Sequence, residues 1–219
     1  MSKLTLIIGN KNYSSWSLRP WVFLKQNGIA FIEERVPLFV ETTNDRLAEY
    51  NSDFKVPVLK DGDLIVWDSL SILEYLSENH LQSGGWPQDP RARAVARSVS
   101  CEMHSSFMNV RNELPMNCRK IFDNLTLTDE AEREIERITA LWRQYRLQYG
   151  ANGEWLFGDY SIADAMFAPI ALRFHGYNIA LGDIEKTYVN NVLKQPCIIE
   201  WMDAGKMESE IIAEDEVEV

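Results

Sequence analysis

A chain of 219 residues with 46% hydrophobic and 25% charged side chains has the composition of a compact soluble protein with ample core. Its formal charge of −11 excludes nucleic acid as a general partner, because phosphate binding needs a positive surface. No apolar run is long enough to span a bilayer, which excludes a membrane-spanning helix.

The first element in chain order is Leu4-Thr5-Leu6-Ile7-Ile8, an apolar, β-branched run that predicts a buried strand. A polar turn follows, Gly9 to Ser17, with three serines around Trp16. From Leu18 to Gln26 the apolar residues take helical spacing, with Pro20 in the first turn and Gly28 as the C-terminal cap. Serines at a strand-to-helix turn cap the helix, or they present hydroxyls to an anion or a thiolate at its N-terminus. Further on, two short apolar runs flank Asp61-Gly62, a hairpin signal, and Pro57 at the start of the first run marks a break in pairing or a cis bond. Asp68-Ser69 then caps a helix with Ile72, Leu73 and Leu76 as its apolar stripe. The first eighty residues thus read βαβ, an irregular or short helical stretch, then ββα.

Residues 82–90 are rich in turn formers and read as a linker. A helix is predicted from Arg91 to about Cys118, with Val95, Val99, Met103 and Phe107 stepping by four and Pro115 bending or ending it. Thr128 caps the next, with Asp129, Glu130 and Glu132 in its first turn and Ile135, Ile138, Leu141, Trp142 and Tyr145 as its buried stripe. Ser161 and Asp164 form a capping box for a helix that Pro169 kinks. Two more helices are predicted around 185–193 and 196–202, and the acidic end from Glu214 reads as frayed.

Cys101, Cys118 and Cys197 are odd in number and widely spaced, so they read as buried thiols in a reducing cytoplasm. The N-terminus has no signal-peptide core, and the glycosylation patterns at Asn12 and Asn124 are then chance matches. His80, His104 and His175 stand far apart without metal-ligand spacing and read as surface or packing residues, so no metal is expected.

The order Ser-Ser-x-Ser-x-Arg at 14–19, Val-Pro-x-Leu at 56–59 and Asp-Ser-Leu-Ser-Ile-x-x-Tyr-Leu at 68–76 resembles the thioredoxin-like half of a cytosolic glutathione transferase. It is most similar to the serine-type zeta, theta and bacterial branches. Gly158 to Ala165 resembles the motif that starts a core helix of the family's helical half, so the likeness spans nearly the whole chain. The resemblance implies an α/β thioredoxin-like domain over 1–81, a linker over 82–89 and an all-α domain over 90–219. It implies glutathione as co-substrate, no metal, a cytoplasmic homodimer, and conjugation of the glutathione thiolate to small hydrophobic electrophiles.

It also assigns residues. Ser14 takes the thiolate-contacting place on the zeta pattern, and Ser15 takes it on the delta and theta pattern. Val56 would pair its backbone with the cysteinyl residue, and Pro57 would turn that backbone toward the ligand. Ser69 suits the γ-glutamyl carboxylate, Asp68 the γ-glutamyl ammonium and Lys55 the glycyl carboxylate. Ser17 reads as a helix cap, Arg19 as a supporting helix residue and Tyr13 as a packed aromatic. Trp16, Met103, Phe107 and Arg111 are candidates for the electrophile site, where Arg111 could hold an acidic co-substrate. Trp16 stands where the zeta signature has Cys, which counts against a maleylacetoacetate isomerase and against thiol exchange. The other readings are a glutathione-dependent isomerase and a non-catalytic relative that serves as a protein-interaction module.

Overall fold

The computed structural model describes residues 3–217 except 51, 83 and 124. Asn124 of the second glycosylation pattern, Ser83 of the linker, Met1 and Ser2 at the start, and Glu218 and Val219 at the acidic end lie outside the described residues.

Strand β1 (Leu4–Ile8) is followed by α1 (Ser15–Gln26), β2 (Phe31–Arg35), the short α2 (Thr43–Leu47), β3 (Val58–Asp61), β4 (Leu64–Trp67) and α3 (Ser69–His80). The sheet order is β2-β1-β3-β4, with β1 parallel to β2 and antiparallel to β3. Because side chains alternate across a strand, Leu4, Leu6 and Ile8 of β1 enter the main core. Ile7 faces the opposite way and packs with Val36, Leu47, Tyr50 and Val58 in a smaller cluster. A strand covered on both faces reads as a near-continuous apolar run, and β1 does apart from the half-buried Thr5.

The remaining long elements are helices: α4 (Pro90–Ser105), α5 (Met108–Glu113), α6 (Asp129–Tyr149), α7 (Ile162–Gly176), α8 (Asp183–Leu193) and α9 (Pro196–Met207). Their starts follow the predicted chemistry. Asp68 accepts from the Leu70 and Ser71 amides, Thr128 from Ala131, and Ser161 and Asp164 close a reciprocal capping box. Helix α7 is the centre of this half, packing on α1, α4 and α8. Trp142 of α6 stacks its edges against Phe167, Phe174 and Tyr188, and Trp21 of α1 meets Trp201 of α9. The core is therefore continuous from sheet to helices.

Four local expectations need correction. Helix α1 begins at Ser15, so Ser17 lies inside it and Pro20 is internal, where it removes the bond to the carbonyl of Trp16. The helix expected over 91–118 is broken at Phe107, which takes φ 64°. Arg111 turns back there and donates to the carbonyls of Met103 and Ser106, satisfying the end of α4. Cys101 is exposed, whereas Cys118 and Cys197 are buried. The acidic C-terminal segment is docked rather than frayed. Glu216 accepts from Tyr13, Asn117 and Lys120, and Glu208 accepts from the Lys11 and Asn12 amides.

Candidate active site

The serine turn is held from all sides. Gly9 donates to Ser17 Oγ at 3.1 Å, and a Cβ at Gly9 would lie 2.5 Å from Leu38 Cδ1. Asn10 Oδ1 accepts from the Leu38 amide, and Asn12 Oδ1 accepts from the Cys118 and Arg119 amides. Tyr13 is a hydrogen-bonded phenol linking Arg119 and Glu216, more than the packed aromatic expected. Burial, with the Glu216 hydrogen bond, raises its pKa and keeps it protonated. The turn thus delivers Ser14, Ser15 and Trp16 to the N-terminus of α1 with little freedom.

Two clefts meet there. The larger, about 730 Å³, is lined by Ser14, Ser15 and Trp16, by Met108 and Arg111 of α5, and by Arg173 of α7. The smaller, about 430 Å³, is lined by Val56, Pro57, Trp67, Asp68 and Ser69. Trp16, Lys55 and Val56 belong to both, so the clefts form one elongated groove.

The hydroxyls of the larger cleft differ in their partners. Ser14 Oγ donates to Ser17 Oγ at 2.8 Å. Ser15 Oγ accepts from Arg173 Nη2 at 3.2 Å. Both serines are 6–7% exposed, so small edges of each face the groove. Arg173 also donates to the carbonyls of Arg111 and Leu114. Burial, with repulsion from Arg111, lowers its pKa to about 10, which still leaves it charged at neutral pH. The Arg111 guanidinium lies 4.8 Å from the centroid of the Trp16 ring.

In the smaller cleft the Val56-Pro57 bond is cis. Asp68 sits at φ 71°, a costly backbone conformation for a residue with a side chain and one that clusters at functional sites. Its Oδ1 caps α3, and its Oδ2 lies 2.6 Å from His104 Nε2. Ser69 is 1% exposed, and its Oγ accepts from Arg19 Nη1 at 3.3 Å. Lys55 is exposed and pairs with Asp53 at 2.7 Å.

The structure therefore brings Ser14, Ser15, Trp16, Lys55, Val56, Pro57, Asp68, Ser69 and Arg111 to one groove. Met103 and Phe107 stay in the core and line neither cleft, while Met108 supplies the apolar wall instead. Sequence reasoning missed Arg173, Asp215 and His104. His104 packs edge-on against Trp16, as a packing residue would, and also pairs with Asp68, which its sequence position did not suggest. One signal for Arg173 exists: beyond the capping Asp164, Ala165 to Phe174 is apolar except there, and a charge inside such a run needs a polar partner.

A thioredoxin-like sheet order, a helical remainder and a groove at the N-terminal ends of α1 and α3 define the class. The sequence profile described as Glutathione S-transferase, N-terminal domain, matches residues 13–79. Mouse glutathione S-transferase theta-2 is 37% identical over 175 residues, covering 74% of this chain and 69% of the relative. A probable maleylacetoacetate isomerase of Caenorhabditis elegans is 27% identical over 176 residues, covering 77% and 78%. A glutathione transferase homolog from Burkholderia gl BGR1, solved with bound glutathione, superposes with a TM-score of 0.69 at 21% identity, covering 93% and 98%. The chain belongs to the glutathione transferase family. No helix among the described residues is long and apolar enough to cross a membrane.

Proposed function

We propose that this protein is a glutathione transferase that holds the tripeptide along the groove and presents its thiolate to a small electrophile. The observation that carries the reading is the joining of the two clefts at Trp16, Lys55 and Val56. One end offers hydroxyls and a helix N-terminus, and the other offers Ser69, Asp68 and an extended backbone. Ser69, at the N-terminus of α3, takes the γ-glutamyl carboxylate, and Asp68 takes the ammonium. Val56 meets the cysteinyl backbone beside Pro57, and Lys55 meets the glycyl carboxylate.

The chemistry is thiolate stabilisation. A free thiol titrates near about 8.5, so most of it is protonated at neutral pH. A serine hydroxyl lowers that value by donating to sulfur, and the positive end of α1 adds to it. Bound thiolate then attacks the electrophile in the larger cleft. The S–C bond forms, and the leaving group departs with its electron pair. Residues 1–81 and 90–219 act as the two domains of a cytoplasmic homodimer, with 82–89 as the linker. The likeness to a probable isomerase supports a second reading, reversible addition of the same thiolate to a conjugated double bond.

Calorimetric titration with glutathione and turnover of 1-chloro-2,4-dinitrobenzene test the proposal. Binding with turnover supports a transferase. Binding without turnover of any aryl halide, but with cis–trans conversion of a conjugated acid, transfers support to the isomerase. Absence of glutathione binding refutes both.

A further inference from the structure

Two adjacent serines face the groove, and their hydrogen bonds separate them. A guanidinium carries only donors, so the bond between Arg173 and Ser15 has one possible direction. Ser15 Oγ is the acceptor, and its own proton is left for another partner. Ser14 is differently placed, because its hydroxyl donates to Ser17 Oγ, which also accepts from Gly9. Arg173 itself has little freedom. It is 6% exposed and is fixed by the carbonyls of Arg111 and Leu114. Its charge has no ion-pair partner within reach among the described residues, and Asp215 of the C-terminal segment is the acidic group that lines the same cleft.

We propose that Arg173 is the positioning residue of the thiolate site: by donating to Ser15 Oγ it fixes that hydroxyl as the donor to glutathione sulfur. The inference rests on the glutathione transferase reading. A hydroxyl whose oxygen already accepts from a cation is a stronger donor, since hydrogen bonds in series polarise one another. The cation also favours negative charge in the cleft, with Arg111 and Arg19 adding to it and Asp215 opposing it. Arg173 touches neither sulfur nor electrophile in this arrangement. It acts through Ser15.

The test measures the pKa of enzyme-bound glutathione from thiolate ultraviolet absorbance against pH. Ser15→Ala raises it by about one unit, a tenfold loss of thiolate at a pH below both values. Ser14→Ala leaves it within a few tenths of a unit. Arg173→Lys keeps a cation able to hold one carbonyl, and it also raises the value by about one unit. In Ser15→Ala with Arg173→Lys the rise is no greater than in Ser15→Ala alone, because the two act as one unit. Calorimetric affinity for glutathione, measured on the same samples, changes less than threefold. Ser15→Ala leaves α7 intact, so the Ser14 and Ser15 comparison holds even where the arginine variant melts. An unshifted Ser15→Ala, an unshifted Arg173→Lys, or full additivity overturns the proposal. Wild-type protein that binds no glutathione overturns the functional reading with it, whereas binding with unshifted variants overturns this inference alone.

Discussion

Arg19 offers a test in which the expected sign runs against a simple count of contacts. It is 1% exposed, and its Nη1 reaches Ser69 Oγ at 3.3 Å while Nε has no partner. The guanidinium stands 4.3 Å from the centroid of the Trp16 ring. Burial lowers its pKa well below the ordinary value, and Arg111 and Arg173 add repulsion that Asp68 opposes. Removing a cation from water costs several kcal/mol even after relaxation. A desolvated contact with Trp returns about 2 kcal/mol, and one charge-assisted hydrogen bond returns about 1.5–3 kcal/mol. These returns about match the cost, and the repulsion from Arg111 and Arg173 tips the balance to unfavourable. Arg19→Met, similar in length and uncharged, should therefore stabilise the ligand-free protein by about 1–3 kcal/mol. For a chain of this size each kcal/mol moves Tm by roughly 2–4 °C. Urea unfolding at an unchanged slope is the assay. With saturating glutathione the gain should shrink or reverse, because Arg19 holds Ser69 and its charge then faces an anion. A Met variant less stable by about 2 kcal/mol, at equal slope, would show that the cation is already compensated and the reasoning is mistaken.

Three further outcomes follow from the geometry. His104→Phe preserves the ring against Trp16 but leaves Asp68 Oδ2 without its partner; glutathione affinity should fall roughly two- to tenfold by calorimetry, and an unchanged Kd would separate His104 from the site. Asp164→Ala strands donors from Leu156, Ser161 and Tyr188 in the core, so chemical denaturation should show a loss of about 3–5 kcal/mol, and a loss under 1 would mean the capping box is dispensable. For the C-terminal segment, a hydrogen bond from Arg35 holds the Glu210 carboxyl below its usual 4.5, and at Glu216 burial is outweighed by hydrogen bonds from Lys120 and Tyr13. Both carboxyls contribute stability above that value and lose it as pH falls through their lowered folded values. Proteolytic nicking of residues 208–217 should therefore rise below about pH 4, before the helices melt, and a pH-independent nicking rate contradicts the assignment.

The legible parts of the fold are those written in neighbouring residues. Leu4 to Ile8 announces a strand, and Asp68, Thr128 and the Ser161–Asp164 pair announce helix starts, because cap and capped amide lie within three positions. Helix α5 was hidden for the opposite reason. Its boundary with α4 depends on Arg111 folding back onto Met103 and Ser106. The groove divides likewise. Ser14, Ser15, Asp68 and Ser69 carry local motifs. Arg173 meets Ser15 across 158 positions and His104 meets Asp68 across 36, so no window of sequence contains either pair. Met103 and Phe107 illustrate the ambiguity of helical spacing, which marks an apolar face without saying whether core or ligand lies against it.

The attachment of Glu208 to the amides of Lys11 and Asn12 joins groups 197 and 196 positions apart. On the ribosome that distance becomes time. At about 5–20 residues per second, roughly 10–40 seconds separate the emergence of the turn from that of its anchor. A nascent chain can pair its four strands long before then, yet the turn that aims the hydroxyls waits until Glu208 has been made. Chemical competence is thus acquired late in biosynthesis, and a product released before Glu208 keeps its sheet while losing the brace behind Ser14 and Ser15.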